Sequence, residues 1–256
     1  MTAIPQTRPA SPPMVDSSAQ ADRLPLWLTA LTAITIGAVI VGAYFALVYA
    51  GMDVEQGAVQ RIFYVHISAF AGAFIAFLAA VVGGVAYLIR RHPRWDALAL
   101  AGVEVGLILA LVNLMTGSIW ARPIWNTWWT WDPRLVSDAI MCLTYAAYLM
   151  LRQGIDNPDT RRRFASVYGI FAFITVIITL VIIRIRPDTI HPAVIGASPQ
   201  NAQGGFGLTD SMIAAMGVNM VVWSVFVPAT LIAWRLRLEA LAERVESLRA
   251  RVMSAD

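Results

Sequence analysis

Long stretches of uncharged hydrophobic residues alternate with short segments that carry charge along the whole chain. A helix crosses the hydrocarbon core of a bilayer with about 20 apolar residues. Because a chain in lipid has to satisfy its backbone hydrogen bonds internally, apolar stretches of this length indicate helices. The pattern predicts an all-α, polytopic integral membrane protein with six transmembrane helices, over 24–50, 62–89, 97–120, 133–151, 164–184 and 211–234.

Polar residues interrupt the third and fourth predicted helices. Glu104 and Asn113 lie in the third, and Asp138 lies near one end of the fourth. Ionisable residues within a span usually face the protein interior, where they pair with another group. Glu104 is therefore either part of a functional site or paired with a neighbouring helix, and an acid and an amide within one span also suit a solute carrier.

The two segments that flank the hydrophobic region are predicted to lie in the cytoplasm. Residues 1–23 are rich in proline, serine and alanine and predict a disordered cytoplasmic tail. The apolar run that follows is too long for a signal-peptide core, and no A-x-A site follows it, so we expect it to be retained as the first span. The predicted six-helix transmembrane domain therefore covers 24–234. Residues 235–256 predict a cytoplasmic amphipathic helix that rests on the membrane surface or on a neighbouring subunit. Its apolar positions, barely two heptads, are too few to indicate a coiled coil.

The composition agrees with membrane insertion. The chain is 58% hydrophobic and 14% charged, whereas soluble proteins are about 25% charged, and the mean hydropathy is +0.65. Its single cysteine, Cys142, excludes an internal disulfide and a CxxC redox motif, and its apolar surroundings predict a buried thiol.

Arginine placement predicts the orientation in the membrane. All 19 basic residues are arginines, and fourteen of them fall in cytoplasmic segments when the N-terminus is placed inside. Positively charged short loops stay in the cytoplasm, so the prediction is N-in and C-in, with outer loops at 51–61, 121–132 and 185–210. Because the arginines are spread between hydrophobic segments, the net charge of +3 does not indicate nucleic-acid binding.

This orientation brings a tryptophan-rich segment, WNTWWTWDPR (125–134), to the outer face beside two of the three histidines. His66 lies about one turn inside the outer end of the second span, and His191 lies in the third outer loop, whereas His92 lies in a cytoplasmic loop. Five indoles within twelve residues exceed what an aromatic belt requires. The spacing of Trp125, Trp128 and Trp129 indicates an amphipathic interfacial helix that presents an aromatic surface.

The two outer histidines suggest a metal-binding function. A lone histidine at a helix end is more often a hydrogen-bonded structural residue, but a pair beside indoles favours a ligand role. Two neutral imidazoles can occupy the opposite axial positions of a haem iron. Indoles provide apolar surface for the macrocycle, and arginines can pair with its carboxylates. Asp132 is expected to cap the fourth span, with Pro133 at its first helical position.

The segments WNTWWTWDPRL and RIFYVHISAF resemble the WWD family of haem-handling proteins of cytochrome c maturation. The six spans resemble the CcmC type rather than the much larger CcmF or the CcsA type, and the resemblance covers roughly 50–235. It implies transient binding of haem b, as a substrate, at the extracytoplasmic side of the cytoplasmic (inner) membrane. It also implies delivery to the haem chaperone CcmE, beside the ABC-type subunits CcmA and CcmB and the small protein CcmD.

The resemblance further implies a set of site residues. His66 and His191 would be the axial ligands of the iron, and the contact residues would be Trp120, Trp125, Trp128, Trp129, Trp131, Asp132, Arg134 and Arg122. This chain has Asn126 where the family usually has glycine, and asparagine tolerates a left-handed backbone better than most residues. The family's tryptophans before the second histidine are replaced by RIRPDTI.

The chain carries no nucleotide-binding GxxxxGK[ST] motif and no serine–histidine–acid set on the outer face. Haem binding and transfer is therefore favoured over enzymatic activity. A cytochrome b-like electron-transfer subunit is one alternative, although such proteins often place two histidines on one helix. A small-solute carrier is the other.

Overall fold

The computed structural model describes residues 24–186, 188–192 and 207–254. The predicted tail at 1–23 lies outside the described residues. The described part is helical and contains no strand. Its α-helices are α1 (Leu26–Tyr44), α2 (Ile62–Arg90), α3 (Pro93–Trp125), α4 (Pro133–Gln153), α5 (Pro158–Ile185), α6 (Asp210–Val221) and α7 (Val227–Met253).

Six helical segments of the described chain are long and apolar enough to cross a membrane, which confirms the predicted all-α, six-span class. They are Leu26–Tyr49, Ala58–Arg90, Pro93–Trp125, Pro133–Gln153, Pro158–Ile185 and Asp210–Met253. The last segment joins α6 and α7 through a π-helical turn.

Three helices begin with the same combination of a polar cap and a proline. Asp132 caps α4 by accepting from the backbone N–H of Arg134 at 2.8 Å, as the sequence predicts. His92 caps α3 and Asn157 caps α5, each directly before a proline. Proline suits the first helical position because its missing N–H would have no partner there. These caps place the starts of α3 and α5 several residues before the predicted spans.

Small residues bring α2 and α3 into direct backbone contact. A Cβ atom on Gly83 would lie 2.6 Å from the nitrogen of Ala99, and one on Gly102 would lie 2.6 Å from the carbonyl oxygen of Ala76. Such close approach is the usual way for helices to associate in lipid, where dispersion contacts replace the hydrophobic driving force. The α2–α3 pair therefore packs without intervening side chains at these points.

A π-helical turn at Val222–Phe226 shapes the contact between the last span and α2. Pro228, just beyond it, has no N–H to donate to the preceding turn, and a proline inside a helix locally disturbs the bonding pattern. Gly72 of α2 packs against the carbonyl of Trp223 so closely that a Cβ there would lie 2.2 Å from the oxygen.

Ion pairs engage the charged residues near and within the spans. Glu104 pairs with Arg235, which confirms that it meets a neighbouring helix. Arg235 also reaches Glu239 at 2.6 Å. At the start of α3, Asp96 receives two hydrogen bonds from Arg152 of α4, at 2.6 and 2.8 Å. Glu104 is thus partnered by an arginine of the last helix.

The last helix continues well past its apolar part. α7 runs without interruption to Met253, so the segment after residue 234 extends the final span. Its apolar side chains Leu238, Val245, Leu248 and Val252 are exposed. Cys142, by contrast, is buried, as predicted.

Candidate functional site

One end of the bundle, called here the histidine end, carries His66, the segment 125–134 and His191. These come from α2, from the connection between α3 and α4, and from the loop after α5. A pocket at this end is lined by His66, Asn113, Trp120, Trp125, Arg134 and His191, among others. His92 precedes α3 at the opposite end of the bundle. The structure thus brings together the two histidines that the sequence singled out.

His66 is held by hydrogen bonds to α3. Its Nδ1 lies 2.9 Å from the carbonyl oxygen of Asn113 and 3.2 Å from Oγ1 of Thr116. The Asn113 amide nitrogen, which only donates, also lies 3.2 Å from Nδ1. Because the contact to the Asn113 carbonyl oxygen, which only accepts, is shorter, we assign the proton to Nδ1 and the lone pair to Nε2. The Asn113 amide donates in turn to the backbone carbonyl of His66 at 2.7 Å. Gly117 makes room for the ring, since a Cβ there would lie 3.0 Å from its Cε1.

His191 has the same tautomer in a different setting. Its Nδ1 lies 3.0 Å from the carbonyl oxygen of Pro192 and donates to it, so the lone pair is again on Nε2. Burial, the positive charge of Arg134 and the proximity of His66 together lower the pKa of His191 to about 3. The imidazole is therefore neutral at physiological pH, the state in which it binds metals.

The two imidazoles lie at a separation that suits one metal ion between them. Their ring centroids are 6.2 Å apart and their planes differ by 33°. A metal–imidazole bond is about 2.0–2.1 Å, so two imidazoles on opposite sides of one ion have centroids roughly 6 Å apart. In both rings the Nδ1–H donates to a backbone carbonyl, the arrangement that orients most metal-binding histidines.

Two imidazoles alone are too few ligands for a metal ion that brings no ligands of its own. Within the described residues no group of three or more His, Cys, Asp or Glu side chains can hold a metal. Two imidazoles instead suit an ion that brings its own equatorial ligands, as iron in a porphyrin does. The cavity is only about 60 Å³, against about 300–1,000 Å³ for typical ligand pockets. A macrocycle between the histidines therefore has to extend outside it.

Two tryptophans line the pocket. The ring of Trp125 lies 6.4 Å from that of His191 and meets it edge-on. Trp120 packs edge-on against Trp125 at 5.1 Å, and its Nε1 donates to the side-chain oxygen of Gln56 at 2.9 Å. The loop after α1 thereby holds the indole at the edge of the pocket.

The predicted interfacial helix over Trp125–Trp129 is wrong. α3 ends at Trp125 because Asn126 adopts a left-handed conformation with φ of 54°, and residues 126–132 are not helical. The expectation that Asn126 tolerates this conformation is confirmed. The indoles therefore do not share one helical face. Trp128 and Trp131 are 59% and 85% exposed, and Trp129 meets Trp131 edge-on at 6.1 Å.

The two predicted arginines differ in position. Arg134 lines the pocket, donates to the carbonyl oxygen of Thr179 and lies over the ring of Phe70 at 4.4 Å. Arg122 is exposed and donates to the carbonyl oxygen of Asn126 at 2.9 Å, which closes the end of α3. Only Arg134 of this pair is placed beside the two imidazoles.

Asp132 faces the loop of His191 and is not among the residues that line the pocket. Besides capping α4, its carboxylate accepts from Oγ1 of Thr189 at 2.9 Å and from the backbone N–H of Ile190 at 2.7 Å. Thr189, Thr116, Gly117 and Gln56 were not predicted from the sequence. Asn113 and Asp138, which both line the pocket, stood out in advance as polar residues within predicted spans.

Comparison with known proteins places this sequence in a family. The family model described as CcmC, Heme exporter protein C, matches residues 8–251. A protein of Rhodobacter capsulatus named Heme exporter protein C is 37% identical over 54% of this chain and 56% of its own length. The Paracoccus denitrificans protein of that name is 34% identical over 59% of this chain and 62% of its own.

The match to the protein of the same name from Bradyrhizobium diazoefficiens is longer. The two chains are 32% identical over 87% of this chain and 81% of that protein. Together with the family model, which matches nearly the whole sequence, this agreement extends well beyond the tryptophan-rich segment. The chain therefore belongs to the CcmC, Heme exporter protein C, family.

Proposed function

We propose that this protein binds haem b between His66 and His191 and delivers it to the haem chaperone CcmE during cytochrome c maturation. The observation that carries the proposal is the pair of neighbouring imidazoles with centroids 6.2 Å apart. Both rings present Nε2, because both Nδ1 atoms donate to backbone carbonyls. The names of the related proteins and the family description support haem as the bound molecule.

The residues around the histidines have separate parts in this proposal. Trp120 and Trp125 provide apolar surface beside the porphyrin, and Arg134 is near enough to pair with a propionate. Because the cavity is small, the outer part of the porphyrin extends towards Trp128, Trp129 and Trp131. Exposed indoles at this position also suit contact with lipid headgroups or with the chaperone.

The arginine bias supports an extracytoplasmic site. With the N-terminus and C-terminus inside, the histidine end would lie on the extracytoplasmic side of the inner membrane, where the chaperone would receive haem. CcmA, CcmB and CcmD are the proposed partners within the membrane complex. Haem is cargo here, and we assign no bond-forming step to the side chains of this protein.

A cytochrome b-like subunit is the second candidate, because two histidines can also hold haem permanently for electron transfer. The carrier alternative has less support: Glu104 is paired with Arg235, and Asn113 is bonded to His66. Release of haem to the chaperone distinguishes delivery from permanent binding.

The test is the absorption spectrum of the purified protein, co-expressed with and without CcmE. Wild type, His66→Ala and His191→Ala are compared with His92→Asn, a matched control that changes the third histidine and keeps a capping side chain. We expect a Soret band in wild type and in the control that weakens or shifts in the other two variants. Equal haem in all four proteins would refute the ligand assignment. Haem that stays bound in the presence of CcmE would favour the electron-transfer alternative.

A further inference from the structure

We infer that Asp132 is a positioning residue for His191, so that the acid at the end of the tryptophan-rich segment controls whether the second axial ligand reaches the iron. The inference rests on the proposed function. It assigns to Asp132 a role different from the direct haem contact that the family resemblance implies.

The carboxylate is fully engaged by the chain itself. It receives hydrogen bonds from the N–H of Arg134, from the hydroxyl of Thr189 and from the N–H of Ile190. Only 6% of Asp132 is exposed. A carboxylate with three such donors is not free, and Asp132 does not line the pocket between the histidines. Its described partners lie at the start of α4 and in the loop directly before His191.

The chain of contacts continues from Asp132 to the imidazole. The hydroxyl of Thr189, 2% exposed, donates to the carboxylate and accepts from the N–H of His191 at 3.2 Å. Asp132 thus fixes the backbone on the N-terminal side of the ligand through two successive residues. The ring then donates to the carbonyl of Pro192, which sets its rotation.

The two ligands are consequently held in different ways. His66 belongs to α2, and its ring is fixed by Asn113 and Thr116 on the closely packed α3. His191 lies outside any helix. The ion pair between Arg186 and Asp188 in the same loop is exposed and joins residues two apart, so it does not tie the loop to α4. The bonds from Asp132 do tie it to α4.

The experiment compares variants that break this link in different ways. Thr189→Val removes the hydroxyl and leaves the cap of α4 intact, and Asp132→Asn removes the charge at nearly constant volume. Asn157→Ala is the matched control, because it removes the side-chain cap of α5 at the other end of the bundle. Each protein is purified with haem bound, and the spin and coordination state is read from its absorption and resonance Raman spectra. His191→Ala serves as the five-coordinate reference.

We expect Thr189→Val and Asp132→Asn to retain haem through His66 but to shift from six-coordinate low-spin towards the five-coordinate spectrum of His191→Ala. Asn157→Ala should keep the wild-type spectrum. If both link variants stay six-coordinate, Asp132 does not position His191 and the inference is wrong. Loss of haem from Asp132→Asn while Thr189→Val stays six-coordinate would also overturn it, in favour of a direct contact. A wild-type protein without a bis-histidine spectrum would refute the proposed function instead.

Discussion

At the scale of single residues, Gly117 leaves room for the His66 ring. It lies on α3 directly beside the edge of the ring, and a Cβ atom added there would lie 3.0 Å from Cε1 of His66. Real Cβ contacts are rarely so short, so a methyl group there has to displace the imidazole. The ring is already fixed by its bond to Asn113, and the displacement therefore strains that bond.

We predict that Gly117→Ala weakens haem binding by about tenfold, which corresponds to overpacking strain of roughly 1–3 kcal/mol. Haem titration of the apoprotein, followed by Soret absorbance, measures the change. Gly217→Ala is the control: it also replaces a helical glycine by alanine, and no atom lies within 4 Å of its added Cβ. Equal affinity in both variants would show that the space at Gly117 does not matter.

The residues that line the pocket were predictable to different degrees. The two histidines could be identified because the chain has only three and two fall on one side of the membrane. Asn113 and Gly117 could not be assigned to His66, because hydropathy gives no information on the rotation of α3 against α2. Their roles depend on which faces of the two helices meet, and small residues spread over both helices determine that.

At the scale of helices, the contact between Gly72 and the last span is the tightest that the described glycines make. The neighbouring atom is the backbone carbonyl oxygen of Trp223, which cannot rotate away as a side chain can. A Cβ at 2.2 Å from that oxygen forces the two helices apart.

We predict that Gly72→Ala lowers the free energy of unfolding by about 1–3 kcal/mol. The thermal unfolding midpoint in detergent, which measures this change, should fall accordingly. Gly37→Ala on α1, where the added methyl group meets nothing within 4 Å, should leave the midpoint unchanged or raise it through better helix propensity. A Gly72→Ala protein as stable as the Gly37→Ala protein would contradict this account of the contact.

The wrong prediction of an interfacial helix also belongs to this scale. Trp125, Trp128 and Trp129 have helical spacing, but a single left-handed residue, Asn126, ends α3 between them. Periodicity alone cannot detect such a stop when the residue is asparagine, because asparagine is compatible with both a helix and a left-handed turn. The starts of α3, α4 and α5 were easier to place in principle, because proline and a polar cap mark each of them.

At the scale of the whole molecule, the six spans followed from hydropathy, whereas the orientation is a prediction from arginine placement. Cysteine labelling can test it, because the chain has one cysteine and that residue is buried. Val54, in the loop after α1, is 99% exposed, and Asp156, between α4 and α5, is exposed at the opposite end.

We predict that a membrane-impermeant thiol reagent labels Val54→Cys in spheroplasts with an intact inner membrane, but labels Asp156→Cys only after permeabilisation. The unchanged protein, with Cys142 alone, gives the background. The opposite labelling pattern would place the histidine end in the cytoplasm, and with it the proposed meeting point with the chaperone.

If haem binds between His66 and His191 as proposed, the difference between the two histidines has a consequence for how long it stays bound. His191 lies on a loop and His66 on a packed helix pair, so the departure of His191 from the iron would set the dissociation rate. A protein that stores its cargo gains from slow dissociation, whereas one that passes it on needs a dwell time matched to the arrival of the acceptor. The hydrogen bonds between Asp132 and the His191 loop would then set how long haem stays bound before its transfer.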